Sequence, residues 1–289
     1  MRSRPPITRD LSLAYLVSLL VALIMTIASL AGLVAGTSIY PDIDVKLFPP
    51  FVGQDALNVL VGLPILLGSM WLARRGSLIG LLLWPGALFY VVYDYGYYVL
   101  GAPFNWFFLP YIALMTLGMY AAIAVVVSVD ADAVRGRLTG SVPARPIGGF
   151  LIGLALLFTT LWAAMTLSAL AGGSTLDPIA RVVTILDLTL QLPALFLAGI
   201  LVWRRRPIAY VITGGLLLQA AAYLIGLSAI TVLQEVVIGG PFEPVAIVPG
   251  LVVGALCLIA IGAFVRGAAR PTELSAPPAR SALEHASVR

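Results

Sequence analysis

Charged residues, cysteine and histidine are all scarce in this sequence, and each scarcity excludes a class of protein. Only 10% of the 289 residues are charged, against about 25% in soluble domains. Cys257 is the single cysteine, so no intrachain disulfide can form, and we expect it to be a small packing residue. His285 is the single histidine. Its isolation excludes histidine-ligated haem, histidine-rich metal sites and a Ser-His-Asp triad.

Familiar cofactor and catalytic motifs are absent as well. The sequence contains no Gly-rich phosphate loop, no CxxC pair and no His-Glu metal helix. We therefore expect no cofactor and no metal site, and we assign no catalytic residue. A membrane enzyme that uses only carboxylates is the least favoured alternative.

Hydrophobic residues, in contrast, make up 61% of the chain, and the mean hydropathy is +1.04. They form long runs, and a membrane-spanning helix needs roughly 20 such residues. No run alternates with a period of two over the length of a barrel strand. The sequence predicts an all-α polytopic membrane protein with eight transmembrane helices, over residues 11–41, 56–73, 78–100, 104–129, 147–171, 180–203, 208–237 and 245–265. Polar connections are predicted over 40–55 and 130–145.

The first apolar segment has a second interpretation, a cleaved signal peptide. Small residues at Ser29 and Ala31 have the spacing of a cleavage site. The apolar run is much longer than the usual 7–15 residues of a signal peptide, which favours a retained helix.

Basic residues predict the orientation of the eight segments. Because they cluster at the ends of apolar runs, they indicate topology rather than nucleic-acid binding. Fifteen fall on one side of the membrane: Arg2, Arg4, Arg9, Arg74, Arg75, Arg135, Arg137, Arg145, Arg204, Arg205, Arg206, Arg266, Arg270, Arg280 and Arg289. Lys46 and Arg181 fall on the other. This bias predicts a plasma-membrane protein with both termini in the cytoplasm.

The two halves of the sequence share a pattern that predicts a 4+4 parallel internal repeat. Asn58–Pro64 matches Asp187–Pro193 at a constant shift of 129 residues, and each segment runs on to an arginine cluster. Further matches are Pro103-Phe104-Asn105 with Pro241-Phe242-Glu243 and Val134-Arg135-Gly136 with Val265-Arg266-Gly267. The alternative is chance recurrence in apolar sequence of low complexity. The predicted units are an arm (1–10), a first repeat (11–136), a linker (137–146), a second repeat (147–267) and a disordered cytoplasmic tail (268–289).

Two prolines near the middle of their segments predict kinks in the helices. Pro64 and Pro193 remove a backbone donor and free the carbonyls of Leu60 and Thr189. In lipid those carbonyls need protein or water partners, so paired kinks often line a cavity. A kink packed against a neighbouring helix is the alternative.

Polar side chains at similar depth in several segments predict a pocket near the outer leaflet. Asn58 and Asp187 occupy matching positions of the predicted repeat, and Gln191 follows Asp187 on the same helix face. Tyr90 and Tyr98 lie one turn on either side of Asp94 and can donate to it. The predicted binding residues are Asp94, Asp187, Asn58, Gln191, Tyr90 and Tyr98. The alternatives are an interfacial tyrosine belt around Asp94 and hydrogen bonds that only join helices.

Acidic residues outnumber basic ones on the predicted outer side. They are Asp42, Asp44, Asp55, Asp94, Asp177, Asp187, Glu235 and Glu243. Such an acidic outer side attracts cations, although part of the excess is the depletion of basic residues that accompanies the orientation. The sequence favours binding or transport of a small solute, with a cation as one candidate. The alternative is a non-catalytic scaffold or subunit of a complex. The lipid bilayer is the expected partner, nucleic acid is not expected, and the sequence does not fix an oligomeric state.

Overall fold

The computed structural model describes residues 6–40, 48–238 and 244–269, and within them the elements are helical. Eight helical stretches of this part are long and apolar enough to cross a membrane. The predicted all-α, eight-helix membrane architecture is therefore confirmed. Lys46, the Pro241–Glu243 turn and most of the predicted tail lie outside the described residues.

The helices follow one another with short connections. They are α1 (Ser12–Ile39), α2 (Phe48–Leu57), α3 (Leu63–Arg74), α4 (Leu78–Gly101), α5 (Phe108–Val127), α6 (Ala131–Leu138), α7 (Ala144–Ala171), α8 (Pro178–Leu186), α9 (Leu192–Trp203), α10 (Pro207–Ile238) and α11 (Pro244–Ala269). Single π-helical turns over Asn58–Gly62 and Asp187–Gln191 join α2 to α3 and α8 to α9. Each pair thus forms one continuous spanning segment.

The second spanning segment begins earlier than the sequence predicted. Helix α2 starts at Phe48, inside the predicted 40–55 loop, because prolines are tolerated in the first turn of a helix and Pro49 and Pro50 occupy that turn. Gln54 and Asp55 therefore lie on a helix, and both are buried. This difference brings two polar side chains into the interior of the bundle.

The predicted polar link after the fourth segment contains the short amphipathic helix α6. The side chain of Asp130 caps it by accepting from the backbone N–H of Ala133 at 2.9 Å. Val134 and Leu138 are buried on its inner face, and α6 packs against α10. The helix thus covers one end of the bundle on the side of the arginine clusters.

Helices α4 and α10 form the centre of the bundle. Gly86 of α4 lies against the backbone of Gly215 of α10, so closely that a Cβ atom on Gly86 would overlap Gly215. This close approach lets α4 also pack against α3 and α5, while α10 packs against α9 and α11. Positions 86 and 215 are separated by the same 129 residues that relate the two π turns.

Helices α1 and α7 lie at the periphery. α1 packs against α5 and the α2–α3 segment, and α7 packs mainly against α9. The α7–α9 contact uses glycine on both helices, since a Cβ atom on Gly148 would lie 2.8 Å from the carbonyl oxygen of Gly199. The contact therefore holds the first part of α7 tightly against the bundle.

Candidate functional site

Two π turns position the polar side chains of the second and sixth spanning segments. In the first, the Leu63 N–H donates to the Asn58 carbonyl, five residues back; in the second, the Leu192 N–H donates to the Asp187 carbonyl. Each turn ends two residues before a proline, so the deviations predicted at Pro64 and Pro193 take this form. The first residue of each π turn is a buried polar one. Single π turns inside helices are frequent at functional sites.

Asp94 lies in a closed cluster between α2 and α4. Its side chain is 0% exposed and accepts hydrogen bonds from Gln54 Nε2 and, at 2.7 Å, from Asn58 Nδ2. The Tyr90 hydroxyl donates to Asn58 Oδ1 at 3.2 Å, not to Asp94. The structure therefore places Asp94, Asn58 and Tyr90 together, in the protein interior rather than at an exposed rim.

Tyr98 belongs to a neighbouring group centred on Asp55. Its hydroxyl donates to Asp55 Oδ1 at 2.8 Å, and the Tyr40 hydroxyl donates to Asp55 Oδ2 at 2.6 Å. Tyr98 had been expected to reach Asp94 along α4. It instead reaches across to α2, because that helix extends through the predicted loop and brings Asp55 within range.

Asp187 lies apart from these groups and lines a cleft of about 80 Å³. Its Oδ1 accepts from the Tyr93 hydroxyl and its Oδ2 from Trp162 Nε1, both at 2.7 Å. The edge of the Tyr93 ring packs on the Tyr223 ring, with centroids 4.5 Å apart. α4, α7, α10 and the segment from α8 to α9 surround the cleft. Asp94 does not line it.

Gln191, at the end of the second π turn, also faces the cleft. Its Nε2 donates to Gln219 Oε1 at 2.8 Å. Its own Oε1 is buried without a hydrogen-bond partner, and the residue is only 7% exposed. A buried acceptor without a partner is costly, typically by about 1–3 kcal/mol. Gln191 thus offers an unused acceptor in the cleft that Asp187 also lines.

The buried carboxylates have no basic partner in the described part of the chain. No lysine or arginine there lies within ion-pairing distance of Asp55, Asp94 or Asp187. The described residues also include no group of three His, Cys, Asp or Glu side chains that could hold a metal. Burial of an ionised carboxylate in such surroundings is energetically unfavourable unless a bound proton or another cation neutralises its charge.

Several residues of these groups were not predicted as site residues. Gln219 and Tyr223 share a polar face of α10, and that spacing was the signal available for them. Tyr93, next to Asp94 but about 100° around the helix, points to a different neighbour. Trp162 carries no signal in the sequence, because it is a single aromatic residue in an apolar helix.

The chemistry of the Asp187 cleft is that of a hydrogen-bond acceptor surrounded by aromatic and apolar walls. Donors from Tyr93, Trp162 and Gln191 are already engaged, whereas a carboxylate has about four lone-pair positions and Asp187 uses two of them. The cleft therefore fits a ligand that donates hydrogen bonds. Comparisons with protein-family models, with curated proteins and with solved structures found no match for this chain.

Proposed function

We propose that this multi-pass membrane protein binds a small cationic solute in the Asp187 cleft, as part of a solute-binding or transport function. One observation carries the proposal: Asp187 and Gln191, whose Oε1 is buried without a partner, line the same cleft, and no basic residue lines it. A protonated amine satisfies both acceptors and compensates the carboxylate charge. The rings of Tyr93, Trp162 and Tyr223 supply surfaces that attract a cation.

The proposed binding residues are thus Asp187 and Gln191, and the other predicted site residues have a supporting role. Asp94, Asn58 and Tyr90 satisfy one another inside the bundle, as Tyr98 and Asp55 do. These closed hydrogen bonds join α2 to α4. They are also the observation that favours the second candidate function, a non-catalytic scaffold whose buried polar groups only hold helices together.

A binding measurement tests the proposal. Ethylammonium titrated into the purified protein in lipid nanodiscs should raise the midpoint of thermal unfolding, because a ligand that binds only the folded state stabilises it. Asp187→Asn keeps the shape and removes the charge, and we expect at least a tenfold weaker response. The matched control is Asp132→Asn on the exposed face of α6, which should respond like the unaltered protein. An equal response of Asp187→Asn and the unaltered protein would contradict the proposal.

We further propose that both termini are cytoplasmic and that the cleft lies in the outer half of a plasma membrane. The arginine clusters after α3 and α9 support this orientation. Cysteines introduced at Arg204 and Gly172, in a Cys257→Ala background, should react differently with an impermeant thiol reagent added to whole cells. Labelling is expected at position 172 only. Labelling at position 204 would overturn the orientation.

The 4+4 repeat is likewise a proposal. It is supported by π turns at positions related by 129 residues and by the Gly86–Gly215 contact, where an axis between equivalent helices would pass. One of the sequence matches lacks this support, since Val134–Gly136 lies on α6 but Val265–Gly267 lies inside α11. An experimental structure should superpose 11–136 on 147–267 with Pro64 over Pro193. Superposition of the second segment on the seventh or eighth would refute the repeat.

A further inference from the structure

Helix α7 is held against the bundle over only part of its length. Leu151 and Ala155, in its first half, are fully buried. Beyond them the inward-facing Phe158 and Trp162 are only half-buried, and the remaining faces of the helix are exposed, as Leu167 is at 65%. The Asp187 cleft lies on the inner side of this loosely packed part.

The depth of the cleft puts its open side in the hydrocarbon layer. Asp187 precedes the Arg204 cluster by 17 residues, or about 25 Å of helix, and the hydrocarbon core of a bilayer is about 30 Å thick. Leu227 of α10, which is 41% exposed, and the half-buried Phe158 of α7 both line the cleft, so we place its opening between them. An occupant that extends through this opening meets acyl chains rather than water, so its outer part must be apolar.

The cleft is also too small for a large polar ligand. A volume of about 80 Å³ holds only a few water-sized groups. A protonated amine with its first carbons fits this space, with the nitrogen at Asp187 and Gln191. The rest of a longer molecule has to leave between α7 and α10.

From this geometry we infer that the ligand is an amphiphile, a protonated primary amine on an alkyl chain, which enters from the bilayer. The inference rests on the proposed cation-binding function and adds the substrate class and the route of entry. The head donates hydrogen bonds to Asp187 and to Gln191 Oε1, and the chain passes Phe158 and Leu227. Free long-chain amines have this chemistry. The headgroup of phosphatidylethanolamine does not, because a charged phosphodiester lies two carbons from its amine, where the occupant has to be apolar.

Photocrosslinking in phosphatidylcholine nanodiscs tests the inference, since the quaternary headgroup of that lipid has no N–H donor. A hexadecylamine with a diazirine in its chain should form adducts on α7 and α10 near Phe158 and Leu227. Asp187→Asn should lower their yield at least tenfold, while Asp132→Asn leaves it unchanged. Unlabelled hexadecylamine and phosphatidylethanolamine are added separately as competitors. Competition by hexadecylamine alone supports the inference, whereas competition by phosphatidylethanolamine would overturn the requirement for an apolar outer part.

The ethylammonium titration distinguishes failure of the amphiphile inference from failure of the proposed cation site. If it stabilises the protein through Asp187 but the long-chain amine forms no adducts that depend on Asp187, the amphiphile is excluded and the cation site stands. If neither depends on Asp187, both proposals fall. Gln191→Met removes the unpartnered Oε1 acceptor together with the Nε2 donor to Gln219. It should lower the adduct yield several-fold, and it decides the question if Asp187→Asn does not fold. An unchanged yield with Gln191→Met would then overturn the inference.

Discussion

The two halves of the chain place similar polar residues behind peripheral helices that pack very differently. The inward stripe of α1, formed by Ser18, Val21, Met25 and Ser29, is completely buried. The stripe of α7 is buried only as far as Ala155. Behind α1 the Asp55 and Asp94 carboxylates accept hydrogen bonds from neighbouring side chains, although the nearby Tyr111 hydroxyl is buried without a partner. Behind α7 the Gln191 acceptor that lines the cleft lacks a partner. The packing of one helix therefore separates a well-packed joint between helices from the proposed binding cleft.

The side chains on the two stripes explain this difference. Small residues let helices approach closely in a membrane, and α1 presents Ser29 and Gly32, the latter directly against the Asp55 side chain. α7 presents Phe158 and Trp162, which are too large for such an approach. Trp162 in addition holds the Asp187 carboxylate with its N–H. The same residue thus keeps the cleft open and orients its carboxylate.

The largest effect is expected at the contact that joins the halves. Gly86→Val adds atoms where the backbone of Gly215 already lies, and neither backbone can move without displacing α4 or α10. We expect a loss at or above the upper end of the roughly 1–3 kcal/mol found for overpacked cores. Thermal unfolding in detergent measures it. Gly68→Ala is the control, because no atom lies within 4 Å of the added Cβ there; equal stability of the two variants would contradict this packing.

A second prediction contrasts the two carboxylates. Asp94→Asn places an amide N–H₂ among the Gln54 and Asn58 donors, so we expect a loss of about 1–3 kcal/mol in stability. The protein that remains folded should still respond to ethylammonium. Asp187→Asn should show the reverse pattern, a lost response with a smaller change in stability. Loss of the ethylammonium response in a folded Asp94→Asn protein would show that Asp94 contributes to binding, and it would contradict the assignment of a purely structural role to Asp94.

The smallest effects separate two tyrosines of α4. Tyr98→Phe removes a hydrogen bond to the closed Asp55 group and should cost about 1 kcal/mol of stability without changing ligand affinity. Tyr93→Phe removes one of the two groups that hold Asp187, so affinity for ethylammonium should fall a few-fold. Titration and unfolding on the same preparations measure both. Equal changes in stability and in ethylammonium affinity for the two variants would contradict the separation of the Asp55 group from the Asp187 cleft.

Local properties of the sequence were sufficient to predict the helical class and the number of spanning segments. Each spanning segment is a long apolar run, and hydropathy needs no knowledge of neighbours. The start of α2 was missed because prolines and polar residues resemble a loop, although prolines suit a first helical turn and Gln54 and Asp55 find partners inside the bundle.

The grouping of the site residues depends on which helices become neighbours. Tyr93 and Asp94 are adjacent in sequence, yet one contacts the sixth segment and the other the second. A single sequence places both on α4 but does not say which helix packs on each face. The same holds for Trp162, whose role follows only from the position of α7 beside Asp187.

The π turns also set the phase of the helices that contain them. Each adds one residue to a turn, which changes the helical phase after it by about 100° relative to an unbroken α-helix. Deletion of Val61 would restore a continuous α-helical register and shorten the segment by only about 1.5 Å. With Leu66 and Met70 kept inward, that deletion would rotate Asn58 away from Asp94. The turn thus sets the direction in which Asn58 points relative to the apolar stripe that contains Leu66 and Met70.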